Sequence, residues 1–83
     1  MDAQKLKHLI ETHLADHTQA FVETDDNVHF DAVIISDLFE GLSLVKRQQK
    51  VYACLGELIA NGSVHALSLK TYTPEEYAQV VAN

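Results

Sequence analysis

The chain has 83 residues, 47% of them apolar, and twelve acidic against six basic side chains give a net charge of −6 with the histidines neutral. That length holds one domain, residues 1–83, because typical domains run to about 100–150 residues, and it lies just above the roughly 70–80 below which small folds usually need disulfide or metal staples. The single cysteine, Cys54, excludes an internal disulfide and suits a reducing cytoplasmic setting, while the lack of an apolar run of about 20 residues or an apolar N-terminal segment leaves no expectation of a membrane span or a signal peptide.

The first predicted helix runs from Asp2 to Ala15. Leu6, Leu9, Ile10, His13 and Leu14 recur at three- and four-residue spacing and share one face, with Asp2 as N-cap. Thr18 to Glu23 and His29 to Ser36 read as strands, on the β-propensity of Phe21, Val22, Val33, Ile34 and Ile35. The turn residues Asp25, Asp26 and Asn27 between them predict an antiparallel hairpin. After a connection at Asp37–Ser43, one long helix is predicted from Leu44 to Ala60. Its apolar stripe is Val45, Val51, Tyr52, Leu55, Leu58 and Ile59, and Asn61-Gly62 ends it. Ser63 to Lys70 alternates as a third strand, with Val64, Ala66 and Ser68 on one side and His65, Leu67 and Leu69 on the other. Thr73-Pro74-Glu75-Glu76 has the form of a capping box, starting a last helix that reaches Val81. The order is α-β-β-α-β-α, an α+β design in which helices cover one face of a three-stranded sheet.

Charge is unevenly placed. Residues 11–40 carry eight acids (Glu11, Asp16, Glu23, Asp25, Asp26, Asp31, Asp37 and Glu40) and no Lys or Arg. Such a field repels nucleic acid and anionic membrane. Lys46, Arg47 and Lys50 form a local exception at the start of the long helix, where the helix dipole is already positive. They fit either a solvated helix face or a patch that takes a phosphate or a partner carboxylate.

Five histidines is a high count for this length. His65 lies in the third strand and fits either a strand histidine satisfied by its neighbours or an imidazole ligand for iron or zinc. His29 follows the acidic turn, a hairpin tip that reads as a solvated turn or as a ligand set completed by a partner. His13 and His17 are four apart, but no third ligand follows at fixed spacing. Cys54 has only Lys50 nearby to lower its pKa and reads as a half-buried structural thiol. No CxxC, GxGxxG, P-loop or HExxH is present, and no catalytic site is expected.

Phe30–Ser36, Leu38-Phe39-Glu40-Gly41-Leu42-Ser43, Val45–Tyr52 with its Lys46-Arg47-Gln48-Gln49 segment, and Val64-His65-Ala66-Leu67-Ser68-Leu69-Lys70-Thr71-Tyr72-Thr73-Pro74-Glu75-Glu76 together resemble the BolA-like proteins. The basic segment looks more like the IbaG branch of that family than like BolA itself. The resemblance spans nearly all of Val22–Tyr77. It implies a class II KH-like topology, in agreement with the order above, and a non-enzymatic partner of monothiol glutaredoxins. In such complexes a [2Fe–2S] cluster is shared, with the glutaredoxin cysteine and a glutathione thiol on one side and the BolA-like chain on the other. The family's histidine in V-H-A-L-S-L-K-T is His65 here. The second ligand comes from the loop between the first two strands. The usual cysteine position falls at Asp26, a harder donor than thiolate or imidazole, and His29 is the favoured alternative. The chain does not hold a cluster by itself.

The resemblance leaves a competing reading, a KH-like DNA-binding transcriptional regulator of stress response and morphology, contacting phosphates through Lys46, Arg47, Lys50 and Lys70. The net charge, the absence of a GxxG loop and the absence of aromatics among the basic residues weigh against it, and such binding is expected to be weak and steeply salt-dependent. A stress-response interaction module without metal is a third reading, and the sequence allows a homodimer.

Overall fold

The computed structural model describes residues 1–83. Helix α1 (Ala3–His13) is capped by Asp2, whose carboxylate accepts the Lys5 N–H at 2.8 Å. It buries Leu6 and Ile10 and stops short of the predicted Ala15, so His13 faces solvent instead of joining the apolar face. Strands β1 (Gln19–Glu23) and β2 (His29–Ile35) pair antiparallel as expected. Phe30, Ala32 and Ile34 alternate into the core from β2. At the base of the hairpin the buried hydroxyls of Thr18 and Ser36 lie 2.9 Å apart, and Ser36 Oγ also accepts the Leu38 N–H of a short 3-10 turn, Asp37–Phe39.

The predicted long helix is two helices, α2 (Leu44–Cys54) and α3 (Gly56–Ala60). The chain leaves helical geometry at Leu55 (φ −106°, ψ 11°). Gly56 weakens propagation at that point, while burial of Leu55 fixes the redirected segment against the core. The predicted stripe needs a second correction. Val45 and Tyr52 are exposed, and the core-facing row is Arg47, Val51 and Leu55, at four-residue spacing. Periodicity rejects a charged residue at such a position. Here a distant carboxylate neutralises it, as described below.

Strand β3 spans Ala66–Tyr72, two or more residues later at each end than expected. The Val64 N–H donates to Leu58 O (3.0 Å), which draws Val64 into the core and delays the ladder. The strand runs parallel to β2, with His29 opposite Ala66 and Ile35 opposite Tyr72, so the sheet order is β1-β2-β3. Parallel neighbours need a long crossover, and α2 and α3 provide it. Leu6 and Ile10 of α1, Val51 of α2 and Leu55 pack with Phe30, Ala32, Ile34, Phe39 and Val64 in one core, with Leu58 and Ile59 of α3 against it.

Helix α4 (Pro74–Ala82) begins with the expected capping box. Glu76 N–H donates to Thr73 Oγ1 (3.2 Å), and Thr73 N–H donates to Glu76 Oε1 (2.9 Å). The same Glu76 carboxylate receives the buried Arg47 guanidinium in bidentate fashion, at 2.6 and 3.0 Å. Arg47 Nε donates to Leu42 O at 3.0 Å and Nη1 lies 3.4 Å from Thr71 O. One ion pair therefore joins α2, β3 and α4. Arg47 first, and the Thr73 N–H second, hold the Glu76 carboxyl at a pKa of about 2, below its ordinary 4.5. A carboxyl whose folded pKa is depressed stabilises fully above its unfolded pKa and loses that contribution as pH falls toward the folded value. Glu76→Gln is therefore expected to melt several degrees below wild type at neutral pH, and that gap closes as pH falls from 4.5 toward 2, read by thermal unfolding followed by circular dichroism.

Candidate functional site

The β1–β2 turn is organised by one carboxylate. Asp26 Oδ1 accepts the N–H groups of Val28 (3.0 Å) and His29 (2.9 Å), and Asp26 Oδ2 lies 2.6 Å from His29 Nδ1. Thr24 Oγ1 braces the same loop, accepting the Asn27 N–H at 3.0 Å and donating to His29 O at 2.6 Å. Asn27 takes the left-handed conformation (φ 62°), which its short polar side chain tolerates. These bonds, the His29 backbone N–H first and its ring second, hold the Asp26 carboxyl far below the usual carboxylate range. An ionised carboxylate only accepts, so His29 Nδ1 is the donor in this pair and Nε2 is left outside it.

His65 reaches the same place from the other side of β2. Its N–H and that of Ala66 both donate to Val28 O, at 2.9 and 3.2 Å. Val64, buried just before it, anchors the segment. The His65 ring meets the His29 ring edge-on, with centroids 5.6 Å apart and planes at 87°. Both residues are exposed, and no hydrogen bond within the chain engages the His65 ring. His65 itself precedes the strand in which it is predicted, so its side chain escapes the alternation that turns Leu67 and Leu69 toward the core.

The three residues expected to bind metal thus come together, but in different roles. His29 and His65 present imidazoles to solvent. Asp26 is committed to the turn and to His29 Nδ1, and so fixes the orientation of that ring. The Asp-x-x-His spacing is the sequence signal for this arrangement, an Asx-type turn closing on its own histidine. No group of three or more His, Cys, Asp or Glu side chains is close enough to hold a metal ion on this chain alone. His13 is the last residue of α1, and His17 sits in the following turn at φ 59°, so the two do not form a helical pair. Cys54 lines a separate hollow with Leu9 and His13, and burial pushes its thiol up, away from thiolate.

The basic set does not assemble. Arg47 is buried on Glu76 and drops out of any phosphate-binding surface. Lys46 and Lys50 are exposed on α2, whereas Lys70 lies across the sheet in a hollow of about 400 Å³ that also includes Glu23 and Asp31. No helix is long and apolar enough to cross a membrane.

Residues 2–76 match the family model for BolA-like proteins. The acid stress protein IbaG of Escherichia coli K12 is 48% identical over 54 residues, which cover 65% of this chain and 64% of IbaG, so the match spans just under two thirds of that relative's length. Among solved structures, a BolA homologue from Coxiella burnetii has a TM-score of 0.81 at 38% identity, covering 94% of this chain and 97% of that one. Yeast Fra2 has a TM-score of 0.73 at 31% identity, covering 99% of this chain and 89% of Fra2. The role of Asp26 is checked by amide hydrogen exchange. Asp26→Ala is expected to speed exchange at Val28 and His29 by roughly tenfold, the scale of one lost hydrogen bond, while amides of α1 and α2 stay unchanged.

Proposed function

The chain belongs to the BolA-like family, in its IbaG branch, and from that premise we propose that it is a non-enzymatic partner of a monothiol glutaredoxin, sharing a glutathione-ligated [2Fe–2S] cluster in iron–sulfur trafficking and stress regulation. One observation carries this reading. Two exposed imidazoles stand edge to face, one oriented through Nδ1 by a carboxylate and the other free of internal hydrogen bonds.

The donor chemistry fits. Imidazole suits iron, and two histidines in place of two thiolates on one iron raise the potential of a cluster of this type. His29 and His65 are the residues that would face that iron, with Asp26 fixing the ring of His29. When bound, the cluster would supply electron storage, and this chain would contribute two oriented imidazole nitrogens as borderline donors. The only thiol, Cys54, is half-buried on α2 with its pKa raised, so the thiolates come from the partner and from glutathione. The acids around the tip (Glu23, Asp25, Asp26 and Asp31) make this face hostile to nucleic acid.

Anaerobic reconstitution with a monothiol glutaredoxin, glutathione, iron and sulfide, followed by visible circular dichroism, tests the proposal. His65→Ala is expected to abolish the signal of the mixed complex, and His29→Ala to weaken it and alter its shape. Cys54→Ser should leave it unchanged. A wild-type spectrum from the His29→Ala, His65→Ala double variant would overturn the assignment.

A further inference from the structure

The two edges of the sheet are treated differently. On β1 the outward groups of Ala20 are both occupied: its N–H donates to Glu11 Oε2 (3.0 Å), and its carbonyl accepts from Lys7 Nζ (2.7 Å). Lys7 and Glu11 are themselves paired at 2.7 Å, so a charged clamp from α1 sits on that edge. On β3, Ala66 and Tyr72 direct their backbone groups to β2, through Val28 O and the Ser36 N–H. By alternation the backbone N–H and C=O groups of Leu67, Leu69 and Thr71 point away from β2. Tyr52 Oη donates to Leu67 O and Arg47 donates to Thr71 O, which confirms that direction. The N–H groups of Leu67, Leu69 and Thr71 and the carbonyl of Leu69 have no partner in the chain. The edge carries no proline; two side chains of α2 reach its outer carbonyls, Thr71 is buried at one end, and Leu67 and Leu69 are half-buried.

We infer that this edge pairs with the same edge of a second copy, antiparallel about Leu69, to make a continuous six-stranded sheet. Leu69 of each copy exchanges both hydrogen bonds with Leu69 of the other. Leu67 then meets Thr71 of the second copy, and their two carbonyls, already accepting once, each keep a second lone pair. Charge selects this register. Within one chain Glu23 is opposite Asp31 and Asp31 is opposite Ser68, while Lys70 is opposite Val33 and Val33 is opposite Phe21. Pairing about Leu69 sets Ser68 opposite Lys70 of the second copy. The row Glu23–Asp31–Ser68 then continues into a lysine, and the same holds in reverse. Lys70, which would blunt the edge against a random strand, here completes an acidic row and faces no other lysine.

The test uses the chain alone, without iron or glutaredoxin, so it stands apart from the cluster reading. Sedimentation over a concentration series is expected to show a monomer–dimer equilibrium, with protection of the Leu69 amide from hydrogen exchange rising with protein concentration. Ser68 is exposed, so its replacement leaves the core intact. Ser68→Glu places a carboxylate opposite Lys70 in both symmetric contacts and should tighten association roughly threefold to tenfold. Ser68→Lys should weaken it by a similar factor, and adding Lys70→Ser to that variant should restore it. A chain that is monomeric at every soluble concentration overturns the inference. So does a dimer that leaves the Leu69 amide unprotected and ignores the charge at position 68.

Discussion

The carbonyl of Val28 is the point on which the site depends. It accepts from both His65 and Ala66, and so starts the parallel ladder between β2 and β3 at the tip of the first hairpin. Residues 36 positions apart in the chain thereby come within ring contact. A shift of this ladder by one residue would send the alternating side chains of β3 to the opposite face, and the packing of Leu67 and Leu69 against the core, with burial of Thr71, resists it. The placement of the two imidazoles is thus secured by core packing several residues away from them.

The Arg47–Glu76 pair plays a comparable role at the other end of the sheet. A guanidinium at a core-facing position of α2 is tolerable only with its charge and donors satisfied, and Glu76, Leu42 O and Thr71 O satisfy them. The pair fixes α4 on the end of β3. There Tyr77 packs against Tyr72 and Phe21 on the sheet face opposite the main core. The ion pair takes one base and one acid out of play together and leaves the net charge unchanged, while the sheet separates Lys70 from Lys46 and Lys50.

Much of the local structure was legible in the residues. Asp2 and Thr73 cap helices because a short oxygen-bearing side chain reaches an orphan N–H one turn on. The β-branched run Val33-Ile34-Ile35 marked β2, and the Asp25-Asp26-Asn27 cluster marked the hairpin. The misplaced features share a cause. The break at Leu55, the late start of β3 and the inward turn of Arg47 each follow from a partner distant in sequence: the core around Leu55, the carbonyl of Leu58, and the carboxylate of Glu76. Helical periodicity weighs only neighbours three or four residues away, and it assigns a charge to solvent by default.

The amino-acid sequence alone determined the element order apart from the break at Leu55, the caps of the first and last helices, the hairpin and the family resemblance that singled out His65, because these rest on side chains acting on their own backbone neighbourhood. Only the tertiary structure decided that β3 lies parallel against β2, that His29 and His65 meet, and that Asp26 orients a ring while Arg47 is withdrawn from the surface. The physical reason is that each of these outcomes joins separate segments, and the free energy of such a contact depends on how the whole core packs.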